Sequence, residues 1–281
     1  MGQIRLPIWI MGALVLIAAD SVAQSYRDCP LCPQMVVIKP GEVTIDDAAA
    51  PGGKRRIAVK YDFAIGKYEV TRGQFSEFIA VTAHKAGPCL HRKDGRWQRN
   101  PNRHWTRPGF RQRDDEPVVC VSSADAKAYV AWVSKRTGQH YRLPTETEWL
   151  YATHANRSKS PYASIYGRHV NKCELGNAAD LTLKAIYTKT VVVNCSDTFR
   201  YTAPIGRFKA NPLGLHDLLG NVSEWVMQCT RHGQCNGKTV RGGSWLTRAG
   251  TARLAYQHRS TVKERFSDVG FRVVKSIKKK K

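Results

Sequence analysis

Apolar and polar positions along this chain fall into short blocks rather than long periodic runs. Leu6 to Ala19 is almost wholly apolar, follows Arg5, and is closed by Ser21-Val22-Ala23. Those small residues stand where a signal peptidase reads, so residues 1–23 are expected to be a signal peptide cleaved after Ala23. The run is shorter than the roughly 20 residues a spanning helix needs, and an uncleaved anchor is the alternative. Residues 24–56 show little periodicity and end in Pro51-Gly-Gly-Lys-Arg-Arg, which predicts an irregular N-terminal arm. Ile57 to Ile65 alternates enough to predict one strand. Thr71 is a natural N-cap for a helix that carries Phe75, Phe78, Ile79 and Thr82 at helical spacing.

Ser123 to Arg136 reads as a second helix, capped by Ser123, with Ala124, Ala128, Ala131 and Trp132 as its packing face. Thr145 opens a third, with Glu148 at the third helical position as in a capping box. Residues 155–212 carry no long helical or strand pattern. Short strands are expected around Val222–Met227, Thr239–Trp245 and Gly270–Val274. After the leader about 250 residues remain, enough for one large domain or two small ones, and the resemblance described below implies one domain over residues 57–275 followed by a basic tail over 276–281.

Charge changes the picture next. Lys plus Arg number 45 against 22 Asp plus Glu, a formal net charge of +23. A field of that sign favours anionic partners. No nucleic-acid motif is present, and an exported chain does not meet nucleic acid routinely, so that class is set aside. After the leader no segment has the length to span a membrane, which points to a periplasmic or secreted protein.

Eight cysteines suit that compartment: Cys29, Cys32, Cys89, Cys120, Cys173, Cys195, Cys229 and Cys235. Sequence does not choose among their pairings. Sequential pairing is the simplest, because short loops close readily. Cys29-Pro-Leu-Cys also has the spacing of redox CxxC motifs, but those open a helix in a thioredoxin-like unit, and this one follows the leader. A tight structural or intermolecular disulfide is its other reading.

Five blocks then carry a resemblance. Residues 68–79 run Tyr-Glu-Val-Thr-Arg-Gly-Gln-Phe-Ser-Glu-Phe-Ile, and 142–152 run Arg-Leu-Pro-Thr-Glu-Thr-Glu-Trp-Leu-Tyr-Ala. Residues 211–225 run Asn-Pro-Leu-Gly-Leu-His-Asp-Leu-Leu-Gly-Asn-Val-Ser-Glu-Trp, followed by Arg241-Gly-Gly-Ser-Trp and Gly270-Phe-Arg-Val-Val. Together and in this order they resemble the formylglycine-generating-enzyme/sulfatase-modifying family. The resemblance implies an α+β domain of the C-type-lectin-like type, with little regular structure, a few helices and short antiparallel strands. Within it, Trp149 and Trp225 read as buried anchors, and Arg142, Arg241 and Arg272 as partners for Glu146, Glu148 and Glu224.

Asp217, the carbonyls of Gly220 and Val222, and Glu224 lie in one turn and offer the mixed hard oxygens that Ca²⁺ takes. The resemblance implies calcium there, and a second calcium at Asn177, Ala178, Asp197 and Phe199. Capping and ion pairing is the competing reading for Asp217 and Glu224. The family's enzymes hold copper(I) with two cysteines just after the Gly-Gly-Ser-aromatic turn, and soft thiolates suit that ion. Here the matching positions carry Thr247 and Ala252 (or Arg253 with a one-residue slip), and no cysteine follows Cys235. Copper at that site, and oxidation of a sulfatase cysteine by the family's mechanism, are therefore not expected.

Two functions remain open. One is a binding or accessory protein whose basic cleft, formed by Arg248, Arg253, Arg259, Trp245 and the loop 91–113, takes an anionic or exported protein partner. The other is an atypical oxidoreductase or maturation enzyme that uses a different site.

Overall fold

The computed structural model describes residues 25–47, 50–93, 96–154, 172–187, 191–229, 234–247, 258–259 and 261–277. The expected leader and the basic tail beyond Ile277 lie outside these residues. In chain order the strands are β1 (Ser25–Tyr26), β2 (Met35–Ile38), β3 (Gly41–Asp46), β4 (Lys54–Val59), β5 (Phe63–Gly66), β6 (Cys89–Lys93) and β7 (Arg96–Asn100). They continue with β8 (Tyr141–Arg142), β9 (Ser223–Cys229), β10 (Cys235–Arg241), β11 (His258–Arg259), β12 (Val269–Gly270) and β13 (Val274–Ser276). The α-helices are α1 (Arg72–Thr82), α2 (Ser123–Thr137), α3 (Glu146–His154) and the single turn α4 (Leu181–Lys184).

One antiparallel sheet has the order β1-β2-β5-β13-β8, and a second has the order β11-β10-β9-β12, with β12 parallel to β9. The pairs β3–β4 and β6–β7 are separate hairpins. This is the mixed α+β architecture of short strands and few helices that the resemblance implied.

The N-terminal arm is not irregular. Its residues supply β1 to β3 and the start of β4, and β2 pairs with β5 from Met35↔Gly66 to Ile38↔Phe63 inside the first sheet. Met35, Val36 and Ile38 are buried there, a near-continuous apolar run without the alternation of a half-exposed strand. The single strand expected over Ile57–Ile65 is two strands in different sheets, because β4 pairs with β3 while β5 joins β2 and β13.

Helix α1 starts at Thr71 with a complete capping box, Gln74 N–H to Thr71 Oγ1 at 3.1 Å and Thr71 N–H to Gln74 Oε1 at 3.0 Å. Thr145 and Glu148 close the same motif ahead of α3. The cap of α2 is Ser122, one residue before the expected Ser123. Its buried face is Ala126, Tyr129, Val130 and Val133, whereas Ala124 and Ala131 face solvent. Burying a tyrosine and two valines removes far more apolar surface from water than burying alanines, and that difference turns the helix.

Trp149 and Trp225 are both fully buried, as expected. The strand expected at Thr239–Trp245 ends at Arg241, because Gly242 and Gly243 adopt φ of 96° and 72° and turn the chain away. Four disulfides, Cys29–Cys32, Cys89–Cys120, Cys173–Cys195 and Cys229–Cys235, follow the sequential pairing.

Candidate functional site

The site grows from a buried charge lattice. Arg272 is completely buried and forks onto Glu224, Nε to Oε2 at 2.7 Å and Nη2 to Oε1 at 2.6 Å. Trp149 Nε1 donates to the same Glu224 Oε2 at 2.8 Å. Arg142 holds Glu148 through two bonds, and Arg241 pairs with Glu146. All three expected arginine–glutamate pairs are therefore formed. Bidentate guanidinium–carboxylate pairs of this kind fix geometry as well as charge.

Beside that lattice lies a strip of oxygen donors. Asp217, with φ of 58°, accepts from Gly206 N–H at 2.6 Å through Oδ2, while Oδ1 is buried with no partner among the described residues. Glu69, at the N-terminal side of α1, is buried with both carboxylate oxygens unpartnered among the described residues. Burial pushes the Asp217 carboxyl up to about 7, and Glu224 adds to the push while Gly206 N–H and Arg272 oppose it. Burial and then the Asp217 charge drive Glu69 well above the carboxylate range. Glu69 was not among the expected ligands. It stands in the first motif block, but only the fold carries it to Asp217.

The second expected set adjoins the first. Asn221 N–H donates to Asn177 O at 2.8 Å, and a Cβ on Gly220 would sit 2.0 Å from that oxygen, so only glycine lets the two loops close. Asn177 Nδ2 donates to Tyr201 O, and its Oδ1 is buried without a partner. Asp197 accepts from Phe199 N–H at 2.8 Å and Ala178 N–H at 3.1 Å. Burial raises its carboxyl to about 7, with the Asp180 charge adding to the effect against those two N–H groups.

As cation donors the two sets differ. The second set fits, with an orphaned amide oxygen beside a carboxylate and backbone carbonyls. In the first set Asp217 Oδ1 fits and Glu69 adds a carboxylate, but Glu224 is engaged by Arg272 and Trp149. No group of three or more His, Cys, Asp or Glu side chains converges on a metal position among the described residues. A cation here would draw on amide and backbone oxygens, which is calcium's chemistry rather than that of softer metals.

The positions that match the family's copper ligands look different. Thr247 lies in the turn after Gly243, where Ser244 N–H donates to its Oγ1 at 3.0 Å. Ser244 Oγ donates to Asp268 Oδ2 at 2.7 Å, and Asp268 Oδ1 is buried with no partner among the described residues. Burial raises the Asp268 carboxyl to about 6, against the Ser244 hydrogen bond and the Arg92 charge. Asp268 precedes the last motif block, and its sequence context gave no sign of it.

Trp245, expected in an open cleft, is 1 % exposed. Phe110, Tyr201 and Tyr187 enclose it at ring-centroid distances of 5.6, 5.1 and 6.3 Å, so it is core and not a contact surface. Arg259 lies on β11, whereas Arg248, Ala252 and Arg253 fall outside the described residues. The loop half of the cleft is described. On the β6–β7 hairpin and after it, Lys93, Arg96, Arg99, Arg107 and Arg111 are exposed and form no ion pair among the described residues. Arg92 O meets Tyr187 Oη at 3.5 Å, which sets this basic loop against the aromatic cluster.

A family model for the sulfatase-modifying factor enzyme 1-like domain matches residues 21–277. The chain belongs to this family. It is 28 % identical over 250 residues to the inactive Cα-formylglycine-generating enzyme 2 of Mus musculus, covering 79 % of this chain and 75 % of that one. It is 29 % identical over 201 residues to the formylglycine-generating enzyme of Mycobacterium tuberculosis, covering 58 % of this chain and 62 % of the enzyme. It spans only 34 % of a serine/threonine-protein kinase pkn1 of Chlamydia caviae. The solved structure of PvdO from Pseudomonas aeruginosa superposes with a TM-score of 0.71 at 25 % identity, over 92 % of this chain and all of that one. The two positions expected to match the family's copper ligands, Thr247 and Ala252, carry no cysteine.

Proposed function

We propose that this chain is an exported accessory protein, braced by calcium, that binds an anionic partner through its arginine-rich loop. The observation that carries this reading is the set of five exposed cations, Lys93, Arg96, Arg99, Arg107 and Arg111, without carboxylate partners among the described residues, on a chain of net charge +23. Exposed cations left unpaired keep their full field for a ligand. The disulfides support an oxidising compartment. No helix among the described residues is long and apolar enough to cross a membrane. The orphaned oxygens of Asp217, Glu69 and Asn177 support one calcium at each of the two oxygen-donor sets, bracing the loops 173–199 and 206–224. When bound, the ion supplies positive charge to buried carboxylates that otherwise resist ionisation.

The test is binding of a sulfated polysaccharide to the purified chain at increasing salt. We expect affinity to fall with ionic strength, and to fall at least tenfold in an Arg96→Ala/Arg99→Ala/Arg107→Ala/Arg111→Ala variant. An unchanged affinity in that variant would sink the assignment of the surface. Elemental analysis after dialysis checks the calcium, with one or two ions per chain expected.

A second reading, an atypical oxidoreductase, draws on one observation. Asp268 places a buried, half-satisfied carboxyl beside Ser244 and Thr247, where the family's chemistry resides. Copper or iron near one per chain in the same elemental analysis would favour it.

A further inference from the structure

The Cys29–Cys32 disulfide is not explained by the fold's need for restraint. Its ring lies inside the loop between β1 and β2, whose ends are already held by the pairs Tyr26↔Met35 and Ser25↔Val36. The turn within it is closed a second time by Cys32 N–H to Cys29 O at 3.0 Å. A covalent bond that closes so short a ring removes less freedom from the unfolded chain than any of the longer loops do, and in the folded chain the segment is already tethered.

Its two sulfurs are placed unequally. Cys32 is 2 % exposed and packs in the core with Met35, whereas Cys29 is half-buried at the rim, between an exposed Arg27 and an exposed Pro30 and Leu31. In the exposed hairpin disulfide Cys229–Cys235 both partners face solvent, and in Cys89–Cys120 both are buried. At an unequal pair access selects the sulfur that is attacked and the one that leaves, and Cys173–Cys195, with Cys173 buried and Cys195 half-buried, shares this inequality but closes a longer loop.

A cation is tied to the same short turn. Arg27 Nη1 donates to Cys32 O at 2.6 Å, which fixes a guanidinium on the residue that would become a thiolate. The neighbouring Asp28 would oppose it, but Lys275 Nζ contacts both Asp28 oxygens at 2.8 and 2.9 Å, and Tyr141 Oη donates to one of them. A cation beside a cysteine lowers its thiol pKa, and a lower leaving-group pKa speeds exchange.

We propose that Cys29–Cys32 is a thiol–disulfide exchange site that takes two electrons from a dithiol-bearing polypeptide. A thiolate of the polypeptide attacks Cys29 Sγ, forming a mixed disulfide and breaking the Cys29–Cys32 bond. The electron pair passes to Cys32 Sγ, which collects a proton from water. The polypeptide's second thiolate then attacks its own sulfur in the mixed disulfide and expels Cys29 as a thiol. The polypeptide is oxidised to a disulfide, and Cys29 and Cys32 are reduced to two thiols. This inference does not depend on the anion-binding surface or on calcium.

The experiment follows the oxidised full chain as it reacts with a synthetic peptide carrying two reduced cysteines, with differential alkylation and mass spectrometry reading each disulfide over time. We expect Cys29–Cys32 to open at least tenfold faster than Cys229–Cys235, with one peptide disulfide formed per chain. Exposure alone gives the opposite order, so Cys229–Cys235 opening first would overturn the proposal. Arg27→Gln is expected to slow the first reaction several-fold and Arg27→Lys to restore it, with Cys229–Cys235 unaffected. Equal rates in wild type and Arg27→Gln would remove the assigned role of the guanidinium and the proposal with it. Because the wild-type rates are decisive, no cysteine variant has to fold.

Discussion

Arg272 is the position where removal should be felt most. Its guanidinium makes four bonds in a fully buried setting: two to Glu224, one to Gly66 O at 3.0 Å and one to His216 O at 2.9 Å. Arg272→Leu leaves Glu224 charged, buried and held by Trp149 alone. Breaking a buried pair by deleting one partner costs about 3–5 kcal/mol. The two stranded carbonyls add about 1–3 kcal/mol each at most, and neighbouring losses are not additive. We therefore expect about 5 kcal/mol, which for a domain of this size lowers Tm by roughly 10–20 °C. Thermal and urea unfolding followed by tryptophan fluorescence, with calcium fixed and disulfides intact, measures it. Adding Glu224→Gln should recover part of the loss, because the unpaired charge disappears. A loss below about 1.5 kcal/mol for Arg272→Leu, or a double variant no better than the sum of the singles, would refute the account of a charge held in place by its partner.

Asp268 gives a pH prediction. Its folded carboxyl is raised to about 6 by burial, while an unfolded Asp titrates near ~3.9. The folded state holds the proton that the unfolded state releases, so this group stabilises below pH ~4 and loses its contribution as pH rises to about 6. Across that window it amounts to about 3 kcal/mol, and Asp268→Asn should flatten the corresponding part of the stability–pH curve measured by urea unfolding. A chelator should lower the melting temperature and added calcium restore it, and Asp217→Asn combined with Asp197→Asn should abolish that response in a calorimeter. Replacing Cys89 and Cys120 with alanine opens a 31-residue separation and should cost about 4 kcal/mol in denaturant unfolding, against about 2 kcal/mol for Cys29 and Cys32.

Local chemistry was legible in the sequence, and long-range partnership was not. Thr71 and Thr145 announced their helices because a capping box is written within four residues. The strand expected over Thr239–Trp245 overran its end, because an apolar/polar pattern does not register the positive φ that Gly242 and Gly243 adopt. The face of α2 was misread because small side chains at helical spacing look like a packing stripe, yet Tyr129 and Val133 bury more surface. Residues 24–56 looked irregular because β2 pairs with β5 and β3 with β4, and neither register shows in a polar/apolar pattern interrupted by Lys39 and Pro40. Glu69 and Asp268 went unseen for a related reason. Each is one carboxylate in an ordinary local context, and each becomes unusual only when distant residues bury it.

The motif blocks that carried the family resemblance are the terminals of one charge lattice. Trp149 and Glu224 join the second block to the third, Arg241 and Glu146 the fourth to the second, and Arg272 and Glu224 the fifth to the third. Glu69 and Asp217 bring the first block against the third. Changing one partner of an arginine–glutamate pair strands a buried charge, whereas the Thr247 side chain meets Ser244 of its own turn and its carbonyl accepts from Ala179 N–H. Agreement with the family block by block therefore reports the buried lattice that holds the fold together, and it speaks to the fold before it speaks to the chemistry.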